Sequence, residues 1–260
     1  MRKMIELGLV VATLCAMTGC AFDSSQEEAV GGTSSEIVNG QIDFGHPAVA
    51  AIHWQVSSPQ GSGQATCTGT LVARRTVLTA GHCVVPADGA TTFSKYEVYF
   101  GSNAKSATAR WIPVASIAGH PNYNPQVFGA YDVGVLVLAE DAPVQPVGVA
   151  NALPDLTGQV VTHVGFGTTV SVNSNMKFGA GSLKYTVSLP VTEQSDITLR
   201  TGNGQSGICN GDSGGPAFVS VNGSDVVVGV HSYIDDNATC LQNGFSARTD
   251  LSYDFIAKFL

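Results

Sequence analysis

Short apolar runs alternate with polar, turn-forming stretches along most of this chain, and almost none of them recur at helical spacing. Thr70–Leu78, Tyr96–Phe100, Val133–Leu138, Val160–Val164, Lys184–Leu189 and Val226–Val230 are rich in branched and aromatic residues and short enough to be strands. Pro-, Gly- or Asn-bearing segments such as Ser57–Gly63 and Asn173–Gly181 separate some of them. A helical pattern is confined to the end of the chain. There Phe255, Ile256, Phe259 and Leu260 fall on one face, and Asp250 or Ser252 stands where a helix cap would be. The pattern predicts an all-β protein with a C-terminal helix over 251–260. A Pro-containing stretch, Asp141–Pro154, predicts the crossover between two β subdomains, roughly 37–145 and 146–250.

The first residues read differently. Arg2 and Lys3 precede an apolar run, Leu7–Met17, that is too short for a stable membrane-spanning helix, so 1–20 reads as an export signal. It ends in Met17-Thr18-Gly19-Cys20, which resembles a bacterial lipobox, with Cys20 as the lipidated residue. Met17 as first residue of that box and Glu6 inside the signal depart from the usual pattern. Ordinary signal-peptide cleavage nearby is the alternative, and both readings stay open. Residues 21–36 are small, polar and acidic and read as a tether or pro-segment. The composition changes abruptly at Ile37-Val38-Asn39-Gly40, where a folded domain over 37–260 is expected to begin.

Composition supports a globular reading of that domain. Apolar residues make up 44% of the 260 and charged residues 12%, enough to bury a sizeable core, while 30 glycines and 11 prolines supply many turns. The net charge is −8; residues 1–36 hold two basic and five acidic side chains, a net of −3, which leaves −5 for the remainder. An acidic domain without a basic stripe argues against nucleic acid as a partner. Of the six cysteines, Cys15 and Cys20 belong to the signal, leaving Cys67, Cys83, Cys209 and Cys240. Four cysteines in an exported domain suggest two disulfides, with three pairings open. A zinc site is the rival, but Cys-x-x-Cys and His-rich spacings are missing.

The sharpest chemical signal is Gly211-Asp212-Ser213-Gly214-Gly215-Pro216. Consecutive glycines let a backbone turn tightly and bring its amides near a substrate, where they can hold the negative oxygen formed when a serine attacks a carbonyl. A serine hydroxyl needs a base to remove its proton. Among six histidines, His82 stands out because Thr79-Ala80-Gly81-His82-Cys83 follows an apolar strand and carries a cysteine that can clamp the loop. A carboxylate must then orient the imidazole. Asp132 opens Asp132-Val133-Gly134-Val135-Leu136-Val137-Leu138, and an acid leading into so apolar a run needs a partner if buried.

These motifs resemble the chymotrypsin/trypsin-like serine protease family across 37–260. Ile37–Gly40, Thr79–Cys83, His120-Pro121-Asn122-Tyr123, Asp132–Leu138, Gly165-Phe166-Gly167 and Gly211–Pro216 follow in the family's order. The resemblance implies two six-stranded antiparallel Greek-key β-barrels with the C-terminal helix, and a triad of His82, Asp132 and Ser213 in the cleft between the barrels. It implies Cys67–Cys83 and Cys209–Cys240 disulfides, an oxyanion hole of the Gly211 and Ser213 amides, and structural roles for His120 and His163. It also implies a zymogen: cleavage before Ile37 frees an amino group that pairs with Asp212. Glu36 precedes the cut where many relatives carry a basic residue, which suggests an activating protease with acidic preference. If Cys20 is lipidated, the same cut releases the domain from the membrane.

The resemblance also places a substrate pocket. Gly207 falls at its base, where trypsin-like members carry Asp, and Ile208 lies beside it; Ser232, Tyr233 and Ile234 form one wall, and Gly244 on the opposite wall leaves some depth. That set predicts a narrow, apolar pocket for small or medium aliphatic side chains, as in the elastase pattern. The expected partners are protein or peptide substrates of a monomeric enzyme, with no cofactor and no metal. Two rivals remain. One is a non-catalytic protease-like binding protein. The other is an α/β-hydrolase-type esterase, which reads the same hexapeptide as Gly-x-Ser-x-Gly and takes Asp225 and His231 as partners, but needs alternating helices that the chain lacks.

Overall fold

The computed structural model describes residues 37–127, 129–168 and 182–260. The expectations for 1–20 with Cys20, for 21–36 with Glu36, and for Asn173–Gly181 lie outside the described residues. Among the described residues there are fourteen strands: β1 (Gln41–Ile42), β2 (Val49–Ser58), β3 (Gly61–Ala73), β4 (Thr76–Thr79), β5 (Thr92–Phe100), β6 (Trp111–Gly119), β7 (Gly134–Leu138), β8 (Gly148–Val149), β9 (Val160–Gly165), β10 (Tyr185–Gln194), β11 (Thr198–Thr201), β12 (Pro216–Val221), β13 (Ser224–Ile234) and β14 (Gly244–Arg248), followed by α1 (Tyr253–Ile256).

The strands close into two antiparallel six-stranded barrels. The first runs β2-β3-β4-β7-β6-β5 and shuts through β5 on β2. The second runs β10-β11-β14-β13-β12-β9 and shuts through β9 on β10. Outside these rings, β1 pairs with β10, and β8 lies parallel to β13. Closure removes the exposed edges that an open sheet would leave. Ile52, Leu71, Leu78, Val98, Leu136 and Leu138 are buried in one core cluster, and Val161, Val191, Leu199 and Val228 in another. β12 and β13 are joined by Asn222-Gly223, both with positive φ (51° and 80°), the pairing a tight hairpin favours.

Three sequence expectations change. Thr70–Leu78 is a hairpin of β3 and β4 rather than one strand, because Arg74 and Arg75 turn outward and both reach the Asp141 carboxylate. Ser57–Gly63 does not separate strands over its whole length: β2 and β3 pair out to Ser58 and Gly61, leaving Pro59 and Gln60 as the turn. The C-terminal helix is a single α turn between 3-10 turns at Asp250–Ser252 and Ala257–Phe259. Neither Asp250 nor Ser252 caps it through its side chain; the Asp250 carboxylate is instead taken by Arg248 at 2.7 Å. Phe255 and Ile256 are buried, whereas Leu260 is exposed.

One buried polar cluster ties the segment after β1 to the start of β10. Lys184 is only 2% exposed, and its ammonium donates to the His46 carbonyl at 2.6 Å and lies 3.4 Å from Asp43. The His46 imidazole meets the same carboxylate at 2.6 Å. Burial alone would raise the Asp43 carboxyl; His46, Lys184 and the Gly45 amide outweigh it and hold the carboxyl below its ordinary range. Removing one member of such a pair strands the other in a poor solvent. Lys184→Met is therefore expected to cost about 3 to 5 kcal/mol in denaturant unfolding, and adding Asp43→Asn to recover part of that loss.

Candidate active site

β4 ends at Thr79 and passes directly into a 3-10 turn, Gly81–Cys83, that presents His82. Cys83 is bonded to Cys67 on β3, and the Tyr96 hydroxyl donates to the Cys83 carbonyl at 2.8 Å, so the turn is held on both sides. Gly81 permits a close approach here: a Cβ would meet the Tyr123 ring at 3.0 Å and Asp132 Oδ1 at 3.1 Å. Asp132 sits just before β7 and is 3% exposed. Its Oδ1 accepts the His82 backbone N–H at 2.8 Å, and its Oδ2 accepts His82 Nδ1 at 2.8 Å and the Ser232 hydroxyl at 2.5 Å. An ionised carboxylate only accepts, so Nδ1 carries a proton, and in the neutral ring Nε2 is then the free lone pair.

Ser213 comes from the loop before β12, on the second barrel. The loop is fastened to the first barrel by Thr68, whose N–H donates to the Ser213 carbonyl at 2.8 Å and whose hydroxyl donates to the Gly211 carbonyl at 2.9 Å. Gly211 and Gly214 both have positive φ (97° and 81°), and a Cβ on Gly214 would strike Thr79 Oγ1 at 2.1 Å and the Thr68 carbonyl at 2.4 Å. Among the described residues no acceptor pairs with the Gly211 and Ser213 amides. A cavity of about 490 Å³ is lined by His82, Asp132 and Ser213 together, so the three side chains chosen from sequence meet at one space.

The pocket residues divide. Ile208, Ser232, Tyr233 and Ile234 line this cavity, and Tyr233 is braced by stacking on Phe245 with ring centroids 4.4 Å apart. Gly207 and Gly244 do not line it. Gly207 pairs through its N–H and carbonyl with Val38, and its Cα faces the Cys240 carbonyl, which an added Cβ would meet at 2.1 Å. Gly244 leaves no depth because Ile208 fills the space above it, with side-chain atoms 2.5 and 2.7 Å from where a Cβ would stand. Tyr123, Asn210 and His231 are lining residues that sequence reasoning did not assign to the pocket.

Cys209 is bonded to Cys240. Asp212 is fully buried, and its two oxygens accept the Gly167 and Cys209 amides at 2.8 Å each. Ile37 is also fully buried, with Val38 bridged to Gly207. His120 stacks on Tyr131, whereas His163 pairs with His231 inside the second barrel. The hydrolase alternative finds no support in this all-β fold: Asp225 lies 3.7 Å from His46, while His231 faces the Asp212 carbonyl. The sulfurs of Cys67 and Cys83 lie near His82 but are consumed by their disulfide and cannot act as thiolate ligands.

Electrostatically, burial by itself would raise the Asp132 carboxyl, but the His82 charge and the hydrogen bonds from His82 and Ser232 carry it below the ordinary range. A depressed carboxyl stabilises the fold above its unfolded value, about 4, and that contribution disappears as pH falls through the folded value. Ser232→Ala removes one of the donors. Its Asp132 carboxyl is expected to titrate at higher pH than in the parent, read by carbon NMR, with acid unfolding beginning correspondingly earlier.

A family model described as Trypsin matches residues 42–256. The chain is 30% identical over 223 residues to chymotrypsin-like elastase family member 1 of Bos taurus, covering 78% of this chain and 80% of that protein. It is 28% identical over 228 residues to trypsin beta of Drosophila erecta, covering 79% and 84%. The human chymotrypsin-like elastase family member 1 is 28% identical over 190 residues, covering 67% and 72%. A match that takes in nearly the whole of both barrels makes this protein a member of the trypsin-like serine protease family.

Proposed function

We propose that the protein is an exported serine endopeptidase, made as a zymogen, that cleaves peptide bonds through an acyl-enzyme. The observation that carries this reading is the Asp132 carboxylate: it fixes His82 through two hydrogen bonds at the cavity that Ser213 also lines. His82 Nε2 takes the Ser213 proton as Oγ attacks the scissile carbonyl. Asp132 holds the imidazole in the required tautomer and stabilises its cation. The tetrahedral oxygen is received by the Gly211 and Ser213 amides, and the protonated His82 then gives its proton to the departing amine. Water repeats the sequence in reverse and frees the acid product.

Cleavage at Glu36–Ile37 by a protease of acidic preference starts the enzyme. The new Ile37 ammonium pairs with Asp212 and stiffens the Gly211 loop, a local charge event with a distant readout. The signal over 1–20 directs export, and Cys20, if lipidated, anchors only the precursor. None of the described helices is long and apolar enough to cross a membrane. With Ile208 over Gly244, and Tyr233 and Ile234 on the wall, the cavity suits Ala, Val or Leu before the cut.

Labelling, rate and selectivity each test this. After processing at Glu36–Ile37, a fluorophosphonate probe is expected to label the parent and not Ser213→Ala, while Ser213→Ala and His82→Ala each lose about 10⁴-fold or more in kcat. Chromogenic peptides ending in Ala or Val are expected to turn over faster than those ending in Arg or Lys, and the reverse order would sink the specificity.

A further inference from the structure

His163 and His231 form a buried pair that the mechanism above leaves unused. His163 on β9 is fully buried and His231 on β13 is 1% exposed. His163 Nδ1 lies 2.7 Å from His231 Nε2, and His231 Nδ1 lies 3.1 Å from the Asp212 carbonyl. The Asp212 carbonyl at one end orders the protons along this chain, and the Pro216 carbonyl is a further acceptor beside the His231 ring. A carbonyl cannot donate, so His231 Nδ1 carries hydrogen; neutral His231 then offers Nε2 as acceptor, and His163 Nδ1 must donate to it. That leaves His163 Nε2 as a bare lone pair, which has no hydrogen-bond partner among the described residues. Burial, the largest influence on both rings, depresses them, His231 to about 4 and His163 well below its ordinary value. The pair is therefore neutral at neutral pH.

The grip on the loop is threefold. Besides the side-chain bond, the His231 N–H donates to the Gly215 carbonyl and its carbonyl accepts the Gly214 N–H, each at 2.8 Å. The Asp212 carbonyl and the Ser213 N–H belong to one planar trans peptide unit, so they point in opposite directions. Whatever holds the carbonyl aims the amide. The Asp212 carbonyl also accepts the Gly215 N–H at 2.8 Å, but that bond lies within the loop and turns with it. His231 reaches that carbonyl from outside the loop.

We propose that His231, with its tautomer set by His163, is a positioning residue that orients the Asp212–Ser213 peptide so that the Ser213 amide serves as an oxyanion donor. The inference rests on the proposed role of Ser213. His163 gives the cleaner handle, because it does not line the cavity whereas His231 does.

The test compares processed parent, His163→Leu and His163→Asn. Asparagine keeps a donor near the Nδ1 position, and leucine does not. Loss of a whole oxyanion donor lowers kcat about 10²- to 10³-fold, so a misaimed one is expected to lower it about tenfold or more. The expected result is that fall in His163→Leu, with KM within about twofold of the parent, a parallel weakening of a peptide aldehyde whose hemiacetal oxygen occupies the oxyanion position, and recovery in His163→Asn. Folded His163→Leu with parental kcat would overturn the proposal, as would a change in KM alone or an equal loss in both variants. Should His163→Leu not fold, His231→Asn, with a donor at the Nδ1 end, is compared with His231→Gln, whose donor sits at the Nε2 end. A kcat about tenfold higher for asparagine supports the relay, and equal values overturn it. If Ser213→Ala retains the parent's turnover, the reading of Ser213 itself fails; if it is dead while the histidine variants match the parent, only the relay does.

Discussion

A single buried negative charge organises the cleft. Asp132 has been removed from water, and a carboxylate in that position is tolerable only if donors surround it. Two of those donors come from the His82 turn on the first barrel, and the third, Ser232, comes from the second. Satisfying one charge therefore fixes the ring of His82 and joins the two barrels at the same point. The arrangement is geometric before it is chemical: a barrel that drifted would leave Asp132 short of a partner.

Thr68 plays the matching part for the Ser213 loop. Its amide and hydroxyl donate to the loop, and the same hydroxyl accepts the Phe166 amide at 3.0 Å. One small residue on β3 thus holds two segments of the second barrel. The glycines of the loop allow this closeness, since a side chain on Gly214 or Gly215 would collide with backbone. His231 completes the enclosure from the other side.

How much of this is legible in the sequence depends on how local each signal is. The His82, Asp132 and Ser213 motifs are short, and each carries its glycines, cysteine or apolar strand beside it, so they can be read without knowing what they touch. The all-β character is equally plain from the period of the apolar runs. Thr68 and Gly211 are 143 residues apart, Ser232 and Asp132 100, His163 and His231 68. No local pattern announces such pairs. Strand limits also blurred where the ladder shifts register, as between Leu71 and Ala73 beside the Arg74-Arg75 turn that splits the expected Thr70–Leu78 strand. Helical spacing overstates the length of α1, because Leu260 matches it yet stays in solvent. Gly244 illustrates a further limit: a glycine in the sequence shows that room exists but not which neighbour takes it.

The space over Gly244 on β14 is taken by the branched side chain of Ile208. On the proposed reading of this cavity, its depth is set by one aliphatic branch on a disulfide-flanked loop, next to Cys209, rather than by the course of the main chain. Selectivity built on such a plug can diversify by exchange of a single codon while the barrels, the buried carboxylate and the serine loop keep their places.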